Sequence, residues 1–180
     1  IITCLPSPII CAQVMESEIG VIKGFSAGKI WLEMSTTSKS EVLRISKLVS
    51  EIGGYSADCP VSGGCHKAAT GNISIFAGCN REVFEKIKSI LFIMGKKVLH
   101  TGNLGTASVL KVMTNYLATA NLVSCCEALT TMKGEGLDLA KTFEAIKISS
   151  GNSFVHETES QVILNGSRNL SLIHISEPTR

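Results

Sequence analysis

From Lys29 to Val61 the chain reads KIWLEMSTTSKSEVLRISKLVSEIGGYSADCPV, and this stretch decides the fold class. Lys29 to Met34 is a short apolar run opened by Gly28, the pattern of a buried strand. From Ser38 to Ile52 the apolar residues Val42, Ile45, Leu48, Val49 and Ile52 recur at helical spacing between polar ones, and Gly53-Gly54 supplies the stop. Tyr55 to Val61 then reads as a second strand. The same alternation continues outward. Ile1 to Leu5 is an apolar run ended by Pro6 and Pro8, Ile73 to Ala77 is another, and Lys96 to His100 is the last. Between the last two, Arg81 to Met94 puts Val83, Phe84, Ile87, Ile90, Leu91 and Met94 on one stripe and ends at Gly95. Strands and helices alternating at this pitch predict an α/β fold with a mostly parallel sheet covered by helices.

After Gly102 the character changes. Thr106 to Met132 contains no Pro or Gly and only two charges, Lys111 and Glu127. A helix of that length reaches about 40 Å, and its apolar composition predicts that it is largely buried, in a second domain or an interface. Asp138 can cap a further helix running through Ile148, and SSGN separates it from a last helical pattern, Phe154 to Leu164. The second half is therefore expected to be all helical, dividing the chain into 1–101, 102–169 and a tail.

That tail, Leu170 to Arg180, reads LSLIHISEPTR, which resembles the in-frame translation of a transposase sequencing adapter at all eleven positions. It is set aside from fold and site reasoning, and His174 with it. The chain opens on a β-branched apolar run without Met, as the middle of a protein would.

The composition narrows the class of partner. Of 180 residues, 17 are Lys or Arg and 15 are Asp or Glu, with no long run of like charge, so no electrostatic footprint for nucleic acid or anionic membrane is present. Seven cysteines without a repeated spacing fit a reduced, intracellular chain better than a disulfide framework. The longest uncharged helical run, Val112 to Cys126, is short and contains Thr114, Asn115, Tyr116, Asn121 and Ser124, which does not describe a membrane span.

The densest chemistry lies in DCPVSGGCHKAATG, Asp58 to Gly71. Cys59, Cys65, His66 and Cys79 have donor atoms, but their spacings do not match zinc ligand pairs, so the thiols are expected to act as small hydrophobes and no metal site is assigned. A phosphate loop needs glycines leading into a helix, whereas NISIF after Gly71 reads as a strand, and no Lys-Ser/Thr pair follows. Ser62, Gly63 and Gly64 remain: a hydroxyl and approachable backbone N–H groups at a strand's carboxyl end, where ligands bind in open parallel sheets. A plain turn needing glycine is an equal reading of the same residues. Lys111 stands in the first turns of an apolar helix, where an ammonium is costly to bury, and can carry a lowered pKa suited to proton transfer; snorkelling to solvent is the alternative. Asn115 lies four residues on, on the same face. Ser35-Thr36-Thr37-Ser38 closes a strand and can equally cap the next helix. His100 and His156 have no partner visible in the sequence and receive no role.

Taken in order, ITCLPSP, MSTTS, DCPVSGG with AATG, IFAG, MGKKVLHTGNLGTASVLKVMTN and EALTTMKGEGLD resemble the β-hydroxyacid dehydrogenases over Ile1 to Asn169. The resemblance implies a Rossmann domain binding NAD or NADP, followed by a long helix and an all-helical domain, with the active site where the two domains meet. It implies that Lys111 transfers the hydroxyl proton, that Ser62, Gly63, Gly64 and Asn115 serve the substrate side, and that Leu5, Pro6, Ser35 and Thr36 lie along the cofactor. It implies a small hydroxyacid substrate of the 3-hydroxyisobutyrate kind, or alternatively tartronate semialdehyde or γ-hydroxybutyrate, no nucleic acid or membrane partner, and a homo-oligomer formed through the helical domain, in the cytoplasm or a mitochondrial matrix. A non-catalytic interaction module on the same fold is the competing function. The glycine-rich dinucleotide turn is absent from this stretch; at roughly 30 residues per strand–helix unit, some 60 residues before Ile1 are expected, and the polypeptide as written is expected to be inactive alone.

Overall fold

The computed structural model describes residues 1–166; the adapter-like tail lies outside the described residues. Strand β2, Ile30–Glu33, and helix α2, Lys39–Glu51, form where their patterns predict. The Ser38 hydroxyl accepts the Glu41 N–H and caps the helix, Val42, Ile45 and Val49 form its buried stripe, and Gly53 ends it at φ +78. Strand β3, Tyr55–Asp58, follows. Strand β1 is Ile2–Thr3, and helix α1, Pro8–Glu16, comes straight after it, capped by Ser7 with Pro8 in its first turn. The sequence pattern does not announce α1, because its residues are apolar almost throughout and give no stripe.

The run expected as one strand from Tyr55 to Val61 is broken at Cys59-Pro60: β3 stops at Asp58, and β4 is Val61–Ser62. A six-residue helix α3, Gly64–Ala69, opens directly on the glycines, another element that the sequence reading lacks. Strand β5, Ser74–Gly78, helix α4, Arg81–Met94, and strand β6, Lys97–Gly102, complete the sheet.

β1, β2 and β3 are parallel neighbours, with Ile2 opposite Leu32 and Ile30 opposite Tyr55; β6 is parallel to β5. The expected parallel sheet has one correction: β5 runs antiparallel to β3 and β4, pairing Gly78 with Asp58 and Ile75 with Val61. The cause is connection length. A parallel return needs a crossover helix of a dozen or more residues; only the short α3 lies between β4 and β5, so the chain doubles back.

Successive strand residues point to opposite faces, and Trp31 and Leu32 enter different cores. Trp31 packs with Cys11, Met15, Phe25, Ile45 and Val49 under α1 and α2, while Leu32 joins Ala57, Cys59, Ile75, Cys79, Phe84 and Leu91 under α4. Cys59 and Cys79 are thus packed as hydrophobes. Among the described residues, no group of three or more His, Cys, Asp or Glu is placed to hold a metal, and no helix is long and apolar enough to cross a membrane.

Helix α5 runs Thr106–Gly134, through the boundary between two compact units, Ile1–Met113 and a second from Thr114 on. Within this chain alone the helix is buried only in part. Val109, Leu110, Val112, Met113, Tyr116, Leu117 and Val123 are exposed, whereas Ala107, Ser108, Lys111, Cys125 and Leu129 are buried. In the second unit, α6 is Leu139–Lys147, capped by Asp138, and α7 is Gln161–Leu164. His156, partnerless in sequence, is buried there, bonded to the Phe143 carbonyl at 3.0 Å and the Ser160 hydroxyl at 3.1 Å, and stacked on the Phe143 ring.

Candidate active site

Two fully buried carboxylates organise the carboxyl ends of the strands. The first is Glu33, at the end of β2. Its Oε1 accepts the Ser35 N–H at 2.7 Å, and its Oε2 accepts the hydroxyl of Thr3 at 2.5 Å and the thiol of Cys11 at 2.9 Å. The Trp31 indole N–H in turn donates to the Thr3 hydroxyl at 2.8 Å. Burial and the carboxylate neighbour push the Cys11 thiol up to about 12, so it remains a donor at neutral pH. The Leu5 N–H donates to the Ser35 hydroxyl at 2.8 Å, tying the ends of β1 and β2 together.

This is where a dinucleotide is expected, and the donor set fits one. Ser35 is turned inward and committed to Leu5, while Thr36 and Pro6 are exposed and Leu5 is half-buried at the same end. Thr37 Oγ1, in the same turn, is buried without a hydrogen-bond partner among the described residues, a polar atom whose burial cost a ligand group would offset. Of the residues expected along the cofactor, Leu5 and Ser35 are brought into direct contact.

The second carboxylate is Asp58, at the end of β3. Oδ1 accepts the Gly105 N–H at 2.7 Å; Oδ2 accepts the Ser108 N–H at 2.7 Å and the Ser108 hydroxyl at 2.9 Å. Burial raises its pKa, opposed by these hydrogen bonds. The space behind it is reserved: a Cβ on Gly78 would stand 2.3 Å from Oδ1 and 3.0 Å from the Ala107 nitrogen.

Past Asp58 the chain is held on both sides, with the Cys59 N–H on the Glu33 carbonyl at 2.6 Å and the Phe76 N–H on the Pro60 carbonyl at 3.0 Å. Ser62 is half-buried, and Gly63 and Gly64 take φ +129 and +73, which side chains rarely adopt. The backbone conformation bears out the turn reading, and the Lys67 side chain lies over Gly63, where an added Cβ would meet its Cδ at 2.7 Å.

Lys111 follows Ser108 by one helical turn. It is 8% exposed, and burial lowers its pKa. Asn115, one turn further along α5, is exposed. Sequence reasoning missed both carboxylates. The available signal was an acidic residue inside an apolar strand run, which must be partnered if buried; the partners themselves lie far away in sequence.

The chain matches the model of the NAD binding domain of 6-phosphogluconate dehydrogenase over residues 1–102, and that of the NAD-binding region of NADP-dependent 3-hydroxyisobutyrate dehydrogenase over 105–171. The chain belongs to the β-hydroxyacid dehydrogenase family. Among curated members of the family, 2-(hydroxymethyl)glutarate dehydrogenase of Eubacterium barkeri is 36% identical over 159 residues, covering 88% of this chain and 53% of the relative. The mitochondrial 3-hydroxyisobutyrate dehydrogenase of Mus musculus is 29% identical over 162 residues, covering 90% and 48%. The chain thus spans about half the length of the curated relatives it matches. Among solved structures, the 3-hydroxyisobutyrate dehydrogenase of Mycobacterium tuberculosis with L-serine superposes with TM-score 0.78 at 24% identity, over 87% of this chain and 53% of that one. Its fold is shared.

Proposed function

We propose that the protein carrying this chain oxidises a small β-hydroxyacid of the 3-hydroxyisobutyrate type with NAD or NADP, or reduces the corresponding carbonyl. The observation that carries the reading is the burial of Lys111, which lowers its pKa by desolvation. A lysine whose pKa is lowered holds more of the free amine at a given pH than an exposed lysine does, and the free amine can take a proton from a hydroxyl.

In the oxidation, the carbinol hydroxyl proton passes to Lys111 Nζ, the C–H bond breaks with its electron pair leaving as hydride, and a carbonyl forms. When bound, the nicotinamide cofactor supplies the hydride acceptor. Ser62 and the backbone N–H groups of Gly63 and Gly64 hold the substrate carboxylate, and Asn115 supports the lysine. Leu5, Pro6, Ser35 and Thr36 line the cofactor, with residues 1–101 forming part of its domain and 102–169 the helical domain. The names of the relatives extend the substrate class to 2-(hydroxymethyl)glutarate and 2-hydroxy-3-oxopropionate. Homo-oligomerisation through the helical residues belongs to the same proposal.

The test is Lys111→Ala in the full-length protein. Turnover should fall by orders of magnitude with cofactor affinity nearly intact, and an unchanged rate would remove the mechanism. A non-catalytic interaction module would show no turnover in the parent protein.

A further inference from the structure

We infer that Asp58 is a positioning residue that fixes the Lys111 helix against the Ser62–Gly64 strand end. This deepens the proposed function and rests on its assignment of Lys111 as the proton-transferring group.

Asp58 is the joint between two short, stiff arms. On one side, four residues lead to Ser62, a reach of at most about 14 Å, and the intervening chain is pinned at Cys59 to the Glu33 carbonyl and at Pro60 by the Phe76 N–H. On the other side, Ser108 and Lys111 are three residues apart on α5, a rise of about 4.5 Å on neighbouring positions of one face. Each arm is rigid on its own, so their relative placement is set where they meet.

The covalent link does not set it. Between β6 and α5 the chain passes through Gly102 at φ +112 and Gly105 at φ +88, a connection with glycine freedom at both ends. The Thr106 hydroxyl ties the connection to the Thr101 hydroxyl and the Asn103 carbonyl, both at 2.7 Å, and the carboxylate anchors the helix start to β3 by taking the N–H of Gly105 and both donors of Ser108. These are first-turn groups that have no partner within a helix, and the negative charge also suits that end of the helix. Gly78 completes the arrangement, since any side chain there would occupy the position of Asp58 Oδ1.

A carboxylate is required in particular. Two oxygens receive three donors; an amide offers one oxygen and turns its NH2 toward a donor. Burial lowers the Lys111 pKa, and Asp58, which holds the first turn of the same helix, acts on it through placement. If the first turn of α5 loosens, Lys111 gains water and its pKa climbs back toward the ordinary lysine value.

The experiment compares Asp58→Asn and Ser108→Ala with the parent, in the full-length protein for kinetics and in this chain for the lysine. In the kinetic arm, Asp58→Asn should lower kcat for hydroxyacid oxidation by roughly 100-fold, leave the cofactor KM within about twofold, and move the rising limb of the kcat–pH profile to higher pH. In the second arm, competitive acetylation of Lys111 across pH, read by mass spectrometry, should show the amine titrating higher in Asp58→Asn. Ser108→Ala, which removes one contact of three, should move both readouts in the same direction by less, and it carries the test if Asp58→Asn does not fold. Unchanged Lys111 titration and kcat in the folded variants would overturn the inference. If Lys111→Ala itself keeps full turnover, the proposed mechanism fails instead, and the acetylation arm still decides whether Asp58 places Lys111.

Discussion

The Cys11 thiol donates a hydrogen bond to Glu33 Oε2 at 2.9 Å, while the other oxygen of the same carboxylate accepts the Ser35 N–H at 2.7 Å. One buried group thus joins α1, β1 and the turn after β2. Glu33→Gln keeps the volume but presents an NH2 to one of three donors. A buried unsatisfied group costs about 1–3 kcal/mol. Urea unfolding of this chain should show a loss of that size, with no change in the dependence of stability on urea concentration.

The thiols make stability fall with alkali. Burial lifts Cys79 to about 11 and Cys11 to about 12, and lifts Cys59 as well. Between pH 9 and those values the unfolded chain has lost thiol protons that the folded chain keeps, so folding becomes less favourable as pH rises. The slope is at most about 1.4 kcal/mol per pH unit for each such thiol. Stability contributed by these groups is fully present below about pH 9. Denaturation midpoints measured from pH 8 to 11 should decline, and Cys79→Ala should flatten the decline.

Thiol accessibility should separate by position. Cys65 is exposed, whereas Cys11, Cys59, Cys79 and Cys125 are buried. With a colorimetric thiol reagent under native conditions, Cys65 should react in the fast phase, and the four buried thiols only as the chain opens. Fast modification of Cys59 or Cys79 would contradict the packing under α4.

Lys111 has the opposite pH signature. Its folded pKa is lowered, so below that pKa the folded chain bears the desolvation cost of an ammonium that the unfolded chain hydrates. As pH climbs from the folded pKa to the unfolded value, the unfolded chain binds the extra proton and stability rises. Lys111→Met should therefore raise the thermal midpoint at pH 7, with the gain shrinking towards pH 10.

Gly78→Ala tests the space behind Asp58. With Oδ1 only 2.3 Å from the added carbon, strand and helix must shift apart, and overpacking of this kind costs about 1–3 kcal/mol. Calorimetry of the variant should show that loss, whereas Gly24→Ala, where nothing stands within 4 Å, should be far milder.

The strand–helix–strand unit from Lys29 to Val61 was legible because burial imposes its own period: Val42, Ile45 and Val49 face one core and can be counted in the sequence. Helices α1 and α3 were not, since PIICAQVME is apolar on every side and GCHKAA has no stripe at all. The reversal of β5 is a matter of how much chain the connection holds, which a strand pattern does not express. Lys111 stood out as a charge in an apolar helix. Asp58 did not, because its partners Gly105 and Ser108 lie 47 and 50 residues later and only the folded sheet brings them near.

That reversal has a consequence for how such a protein can diversify. Because β5 doubles back along β4 and β3, Gly78 comes to rest beside Asp58, and the parallel β6 delivers Gly102, and with it the start of α5, to the same place. The excursion from Gly63 to Ile73 is a side loop on this frame, and its chain length does not enter the path that seats the lysine. On the function proposed above, substitutions and insertions there would alter the Ser62–Gly64 side of the site without lengthening the path to Lys111, so selectivity and reactivity would be free to evolve on separate parts of the chain.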